Sequence, residues 1–152
     1  MNINKFTQSS MAAVQGCEKV AMDYGNQEVE QEHLLYALLT IDDSLILKLF
    51  EKMGISKETI INRVEEALRK RPKVQGGQMY IGQNLNNVLV HGEDEAKQMG
   101  DEYVSVEHLF LALMKYASRD MKALFRELGV TREGFLQALS TVRGNQRVTS
   151  DN

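Results

Sequence analysis

Glu32-His33-Leu34-Leu35-Tyr36-Ala37-Leu38 returns 75 positions later as Glu107-His108-Leu109-Phe110-Leu111-Ala112-Leu113. Working outward, the same offset carries Leu49-Phe50 onto Leu124-Phe125 and Gly54-Ile55 onto Gly129-Val130. Residues 6–64 slide onto 81–139 without a gap and keep 14 identities among 59 positions. That identity is too modest to establish a duplication. The retained register of Gly25/Gly100, Gly54/Gly129 and the apolar positions does establish it.

Each copy reads as four helices. In the first, from about Thr7 to Tyr24, residues Phe6, Ser10, Ala13, Cys17, Ala21 and Tyr24 fall three or four apart on one face. Ile81, Leu85, Val88, Gly92, Ala96 and Met99 hold the same frame in the second copy. Gly25 and Gly100 follow as residues suited to a left-handed helix end. The second helices span roughly 30–41 and 105–116, with Ser105 a fair N-cap and Glu30, Glu32 and Glu107 at the positive helix end. The third span roughly 44–53 and 119–128, closed by Gly54 and Gly129. The fourth start from Ser56 and Thr131, both good N-caps. Alternating apolar and polar runs are absent, so strands are not expected. The predicted fold is all-α: eight helices as two tandem four-helix repeats packed with pseudo-two-fold symmetry, because two units are too few for an open solenoid. The repeats span about 4–71 and 79–143 of one domain, 1–143. Pro72 and Gly76-Gly77 mark the join. Residues 144–152, with one apolar residue in nine, read as the flexible start of an interdomain linker.

A chain of 152 residues can bury a core without disulfides or metal. Its formal net charge of −3 lacks the cationic excess of a dedicated nucleic-acid binder. The single cysteine excludes an internal disulfide and a cysteine-based zinc site and fits a reduced, cytoplasmic setting. No run approaches the ~20 apolar residues of a membrane span, and residues 1–6 do not form a secretory signal.

Catalytic readings are weak. Glu32 and His33 are adjacent, as are Glu107 and His108, so each pair points about 100° apart on its helix, and no His-Glu-x-x-His motif occurs. The plainer role for each histidine is to fix the first turn of its helix at the repeat interface. Cys17 lies on an inward face where its counterpart is Gly92, which argues for packing rather than nucleophilic chemistry. Arg69, Lys70, Arg71 and Lys73 complement a helix C-terminus. Gly76-Gly77 is followed by no Gly-Lys-Ser/Thr, so it is not a phosphate loop.

The duplicated Ala…Gly-Asn/Asp…Val…Glu-His-Leu…Ala-Leu unit, with Leu-Phe-x-x-x-Gly-Ile/Val, resembles the Clp N-terminal repeat domain over residues 1–143. The join from Glu66 to Gly76 and the ending from Val142 to Val148 are most similar to the ClpB disaggregase branch. That resemblance implies a non-enzymatic substrate-gathering module preceding the ATPase domains of a hexamer. The ATP-binding site would lie outside this domain, with no cofactor and no metal within it. Implied partners are unfolded or aggregated proteins and a DnaK-type chaperone system, with neither nucleic acid nor membrane among them. The positions carried over as substrate-binding are Thr7, Asp101 and Glu107, expected around one groove, together with Leu89 in an apolar groove near the fifth and sixth helices. His91, Glu95 and His108 would make that groove unusually polar. The alternative is a ClpC-like domain that docks adaptors or phosphoarginine-tagged proteins, with Glu32 and Glu107 holding the guanidinium.

Overall fold

A computed structural model describes residues 2–152; residue 1 of the expected 1–143 domain lies outside them. After a 3₁₀ turn at Ile3–Lys5 come α1 (Gln8–Asp23), β1 (Glu28–Val29), α2 (Gln31–Thr40), α3 (Leu45–Lys52) and α4 (Lys57–Arg69). The second half runs β2 (Tyr80–Ile81) and then four helices in the same order, α5 (Gln83–Gln98), α6 (Val106–Lys115), α7 (Arg119–Leu128) and α8 (Arg132–Arg143). Both ends of α5 and α6 fall 75 residues after those of α1 and α2.

Local chemistry sets these limits. The hydroxyls of Ser44, Ser56 and Thr131 accept the N–H groups of Leu47, Thr59 and Gly134 at 3.1, 3.2 and 3.0 Å, which satisfies donors the first helical turn leaves free. The Ser118 hydroxyl caps α7 in the same way, accepting the Met121 N–H at 3.2 Å. Gly25, Gly54, Gly100 and Gly129 close helices at φ of 71, 84, 72 and 73°, a region costly for residues with a Cβ.

Strands were not expected, yet β1 and β2 pair in parallel, and Phe6 forms an isolated parallel bridge with Val104. Two-residue strands are too short to leave an alternating pattern. Their pairing is reciprocal. Gly82, which opens the second copy's first helix, donates its N–H to the carbonyl of Val29 at 2.8 Å. Thr7, which opens the first copy's, donates to the carbonyl of Val104 at 2.9 Å. Thr7 and Gly82 are counterparts at the 75-residue offset, as are Val29 and Val104, so each copy begins on the other's edge.

The core lies between the copies. Phe110 of α6 is fully buried, with ring centroids 5.3 Å from Phe50 of α3, 5.6 Å from Phe125 of α7 and 4.5 Å from Phe135 of α8. The first of these contacts crosses between repeats. Packing is not equal on the two sides: α3 lies along α8, whereas α4 and α7 part around a cleft of about 290 Å³. Arg63 of α4 reaches Glu127 of α7 at 2.6 Å. Among the described residues no helix is long and apolar enough to cross a membrane.

The two first helices are capped by different means. Thr7 caps α1 with its own hydroxyl, 3.2 Å from the Ser10 N–H. Gly82 has no side chain, and the Glu30 carboxylate accepts the N–H groups of Asn84 at 3.1 Å and Leu85 at 2.8 Å instead. A Cβ at residue 82 would lie 2.1 Å from Glu30 Oε2. Gly82→Ala, at a φ of −69° that any residue adopts, should therefore cost about 1–2 kcal/mol through loss of this cap. Urea unfolding should show that cost in the wild-type background and little of it beside Glu30→Ala. Equal cost in both backgrounds would refute the explanation.

Candidate functional site

The repeated histidines are N3 residues of α2 and α6. His33 Nδ1 accepts the Glu30 N–H and His108 Nδ1 accepts the Ser105 N–H, both at 2.8 Å. This is the reach-back of a capping box, with imidazole in the position Glu or Gln usually takes. Because Nδ1 accepts, the ring proton sits on Nε2. It points to Asn26 Oδ1 at 2.9 Å in the first copy and to Asp101 Oδ2 at 2.6 Å in the second. Both rings are fully buried. Burial, with the Arg71 charge nearby, lowers the His33 pKa to about 4.

Asn26 and Asp101 follow the C′ glycines Gly25 and Gly100 at equivalent positions. The change from amide to carboxylate gives the second copy an ionic site. Asp101 Oδ1 pairs with Arg143 Nη2, whose Nη1 lies 3.5 Å from Glu107 Oε2. Asp101 and Glu107 are 7% and 5% exposed. Burial pushes the Asp101 carboxyl up, but hydrogen bonds from Arg143, Val148 and His108 outweigh it and hold the pKa below the ordinary carboxylate value. Glu107 Oε1 also accepts the Ser105 hydroxyl.

Arg71 does in the first copy what Arg143 does in the second: it lies 2.7 Å from Glu28 and 3.2 Å from Glu32. Each repeated glutamate thus already holds a guanidinium of its own chain. From the sequence Arg71 reads as part of a basic cluster at a helix end; in the fold it turns back onto the repeated acid.

Asp101 and Glu107 therefore meet on Arg143. Thr7 joins them through the backbone of Val104, whose carbonyl accepts both the Thr7 N–H and, at 2.7 Å, the Ser10 hydroxyl. Beside this loop a cleft of about 270 Å³ is lined by Lys5, Glu93, Lys97, Glu102, Tyr103 and Val104. Leu89 is not at the cleft. It is 6% exposed and belongs to the core, while its neighbour Val90 is 42% exposed. A charge at residue 89 would destabilise the fold rather than probe a binding surface. Glu95 is also buried, paired with Arg132 at 3.1 Å.

Residues 145–152 carry no helix or strand, yet their backbone lies on the same loop. Val148 donates its N–H to Asp101 Oδ1 at 2.9 Å and accepts the Glu102 N–H at 2.8 Å. The carbonyl of Asp151 accepts the N–H of Gln8 at 2.7 Å.

Gln31, whose counterpart is Val106, was not legible as important. Its fully buried amide donates to the carbonyls of Asn84 at 3.0 Å and Tyr116 at 2.8 Å, and accepts the Ser118 N–H at 2.8 Å. A polar residue breaking an otherwise apolar counterpart position was its signal. Cys17 is 2% exposed, and burial raises its thiol to about 12, so little thiolate forms.

Residues 5–128 match the model of the Clp repeat (R) N-terminal domain. The chain belongs to this family. It is 42% identical to the chaperone protein ClpB of Nitratidesulfovibrio vulgaris over 158 residues, and 38% identical to that of Bacillus cereus over 157 residues. Each match covers the whole of this chain and 18% of the relative, so the chain spans about a fifth of those proteins. The Hsp104 N-terminal domain of Candida albicans shares the fold at a TM-score of 0.84 and 22% identity, covering 97% of both chains. A ClpV N-domain solved in complex with a VipB peptide shares it at a TM-score of 0.72 and 18% identity, covering 99% of this chain and 92% of that one.

Two outcomes follow from this geometry. A depressed histidine pKa means that the folded chain resists a proton the unfolded chain accepts below its ordinary value of 6.5. The stability from neutral His33 is complete above pH 6.5 and is lost as pH falls toward 4, by about 3 kcal/mol. His33→Gln keeps an acceptor at N3 and should flatten the urea midpoint between those pH values; an unchanged slope would refute the assignment. Arg143→Met strands two buried carboxylates and should cost about 3–5 kcal/mol at pH 7 in the same assay. A cost below 1 kcal/mol would show that the cation is dispensable.

Proposed function

We propose that this domain is the client-gathering N-terminal module of a ClpB-type ATP-driven disaggregase. It receives exposed segments of unfolded or aggregated polypeptides at the Asp101–Val104 loop and the start of α1. One observation carries the reading: a buried carboxylate and the N–H groups of Glu102 and Gln8 already receive an extended polypeptide there, namely residues 148–151 of the chain itself. Identity to ClpB over the whole chain supports the assignment to that branch. The peptide complex of the ClpV N-domain supports the idea that such a fold can take a peptide.

On this reading, Asp101 presents its carboxylate to the client backbone, Thr7 fixes the α1 end of the surface, and Glu107 holds Arg143 so that Asp101 stays ionised. The cleft beside them mixes charged Lys5, Glu93, Lys97 and Glu102 with Ala96, Tyr103 and Val104, so client contact combines backbone, charge and a small apolar area. Association entropy then leaves little net affinity for one domain. Weak binding suits a module that must release clients to a motor, and several copies in a hexamer would recover avidity. The hexameric ATPase and a cooperating DnaK-type system belong to the same proposal, in the cytoplasm. A phosphoarginine-docking role would require displacing Arg71 from Glu32 or Arg143 from Glu107.

NMR titration of the 152-residue chain with a permanently unfolded client tests this. The amides of Gln8 and Glu102–Val104 should shift, with a Kd of about 1 μM or weaker. Tyr103→Asp, at the rim of the cleft, should weaken the response. Absence of any shift at high client concentration would overturn the reading.

A further inference from the structure

The segment that reads as a linker has a counterpart inside the domain. After α4 the chain runs Pro72-Lys73-Val74 across the Gly25–Asn26 corner. Val74 donates its N–H to the Gly25 carbonyl at 2.9 Å, and the Pro72 carbonyl accepts the Asn26 amide at 3.1 Å. After α8 the chain runs Gln146-Arg147-Val148 across the Gly100–Asp101 corner, with Val148 on Asp101 Oδ1 and Arg147 against Gly100. Lys73-Val74 and Arg147-Val148, a cation followed by valine, thus cross equivalent corners of the two copies. A strap follows each repeat.

The straps differ in what holds them. The first leads into β2, which pairs with β1. The second continues as Thr149-Ser150-Asp151 along the N-terminal turn of α1 and buries little apolar surface: Val148 is partly covered, and residues 149–152 are exposed. Segments with few apolar contacts and solvent-facing hydrogen bonds open at low free energy.

We infer that residues 147–152 are a tethered, displaceable occupant of the Asp101–Val104 and Thr7–Gln8 surface, and that an extended polypeptide competes with them for it. This rests on the client reading above for its biological meaning. The competition itself concerns only backbone donors and one carboxylate. A strap seated nine-tenths of the time lowers the apparent affinity of a competitor about tenfold. Client capture and release of the strap then become one linked step.

The test uses the 152-residue chain and a shortened chain that ends at Gln146, which removes the strap's backbone groups. A second variant, Val148→Pro, lacks the N–H that reaches Asp101. In hydrogen exchange the Gln8 and Glu102 amides should lose protection about tenfold or more in both variants. The Thr7 amide, bonded to Val104 within the body, should keep its protection and so report an intact fold. A synthetic peptide of residues 145–152, added in trans, should shift the Gln8 and Glu102 resonances of the shortened chain, and do so about tenfold more weakly in the wild type. Equal Gln8 and Glu102 exchange in all three chains overturns the occupant. Equal peptide response in the wild type and the shortened chain overturns the competition. Failure of an unfolded client to bind any of the three chains, with the peptide response as expected, overturns the client reading and upholds the strap.

Discussion

The fold depends on a pair of exchanged backbone hydrogen bonds. Thr7 gives its N–H to Val104, and Gly82 gives its N–H to Val29, so neither copy can begin its first helix without the edge of the other. A four-helix unit alone would leave both an unpaired edge and an uncovered apolar face. The exchange satisfies the first, and the packing of Phe110 between Phe50, Phe125 and Phe135 satisfies the second. Buried backbone groups are costly to leave unpaired, so the two closures reinforce each other and fix which ends of the helices meet.

Within that shared frame the copies have diverged where polar chemistry is concentrated. At the 75-residue offset Thr7 corresponds to Gly82, Glu30 to Ser105, Asn26 to Asp101 and Gln31 to Val106. In the first copy the variable residues serve the join: Glu30 crosses to cap α5, and Gln31 binds backbone of α5, α6 and the start of α7. In the second copy the corresponding corner carries a carboxylate, a histidine and an arginine, and opens onto a cleft. The two corners are equivalent in the repeat; one serves as a structural clasp, and the other buries a carboxylate–arginine pair beside a cleft.

What could be read from the residues follows from these length scales. Helices of eight residues or more left a period, and their ends were marked by Ser, Thr and Gly, so all eight were legible close to their limits. The site was legible in part. Asp101 and Glu107 meet because an acid after a C′ glycine and an acid in the next helix's first turn are close in the chain. The cation that joins them was not legible, because Arg143 lies a helical hairpin away and its direction depends on how α8 packs. Leu89 was misplaced toward a groove because a helix with apolar residues on adjacent positions, Val88 to Val90, does not say which one faces out. The two-residue strands and the second strap left no periodic signal at all, since each is too short and too little buried to repeat an apolar position.

The second strap also changes what Asp101 is for. A buried carboxylate with only Arg143 and His108 as partners would still have lone-pair capacity facing the loop surface, and an N–H from an extended chain fills it. Val148 does so here, in a geometry set by the same corner that holds Pro72 and Val74 in the first copy. The strap's position is therefore a consequence of the repeat, while its grip is set by a single ionic residue, the loop amide of Glu102 and the helix-end amide of Gln8. A contact built from so few polar groups, with almost no apolar burial, holds the segment in place but does not commit it. That combination is what an exchangeable surface requires, because any extended backbone can offer the same N–H and carbonyl groups while the ionic corner beneath stays assembled.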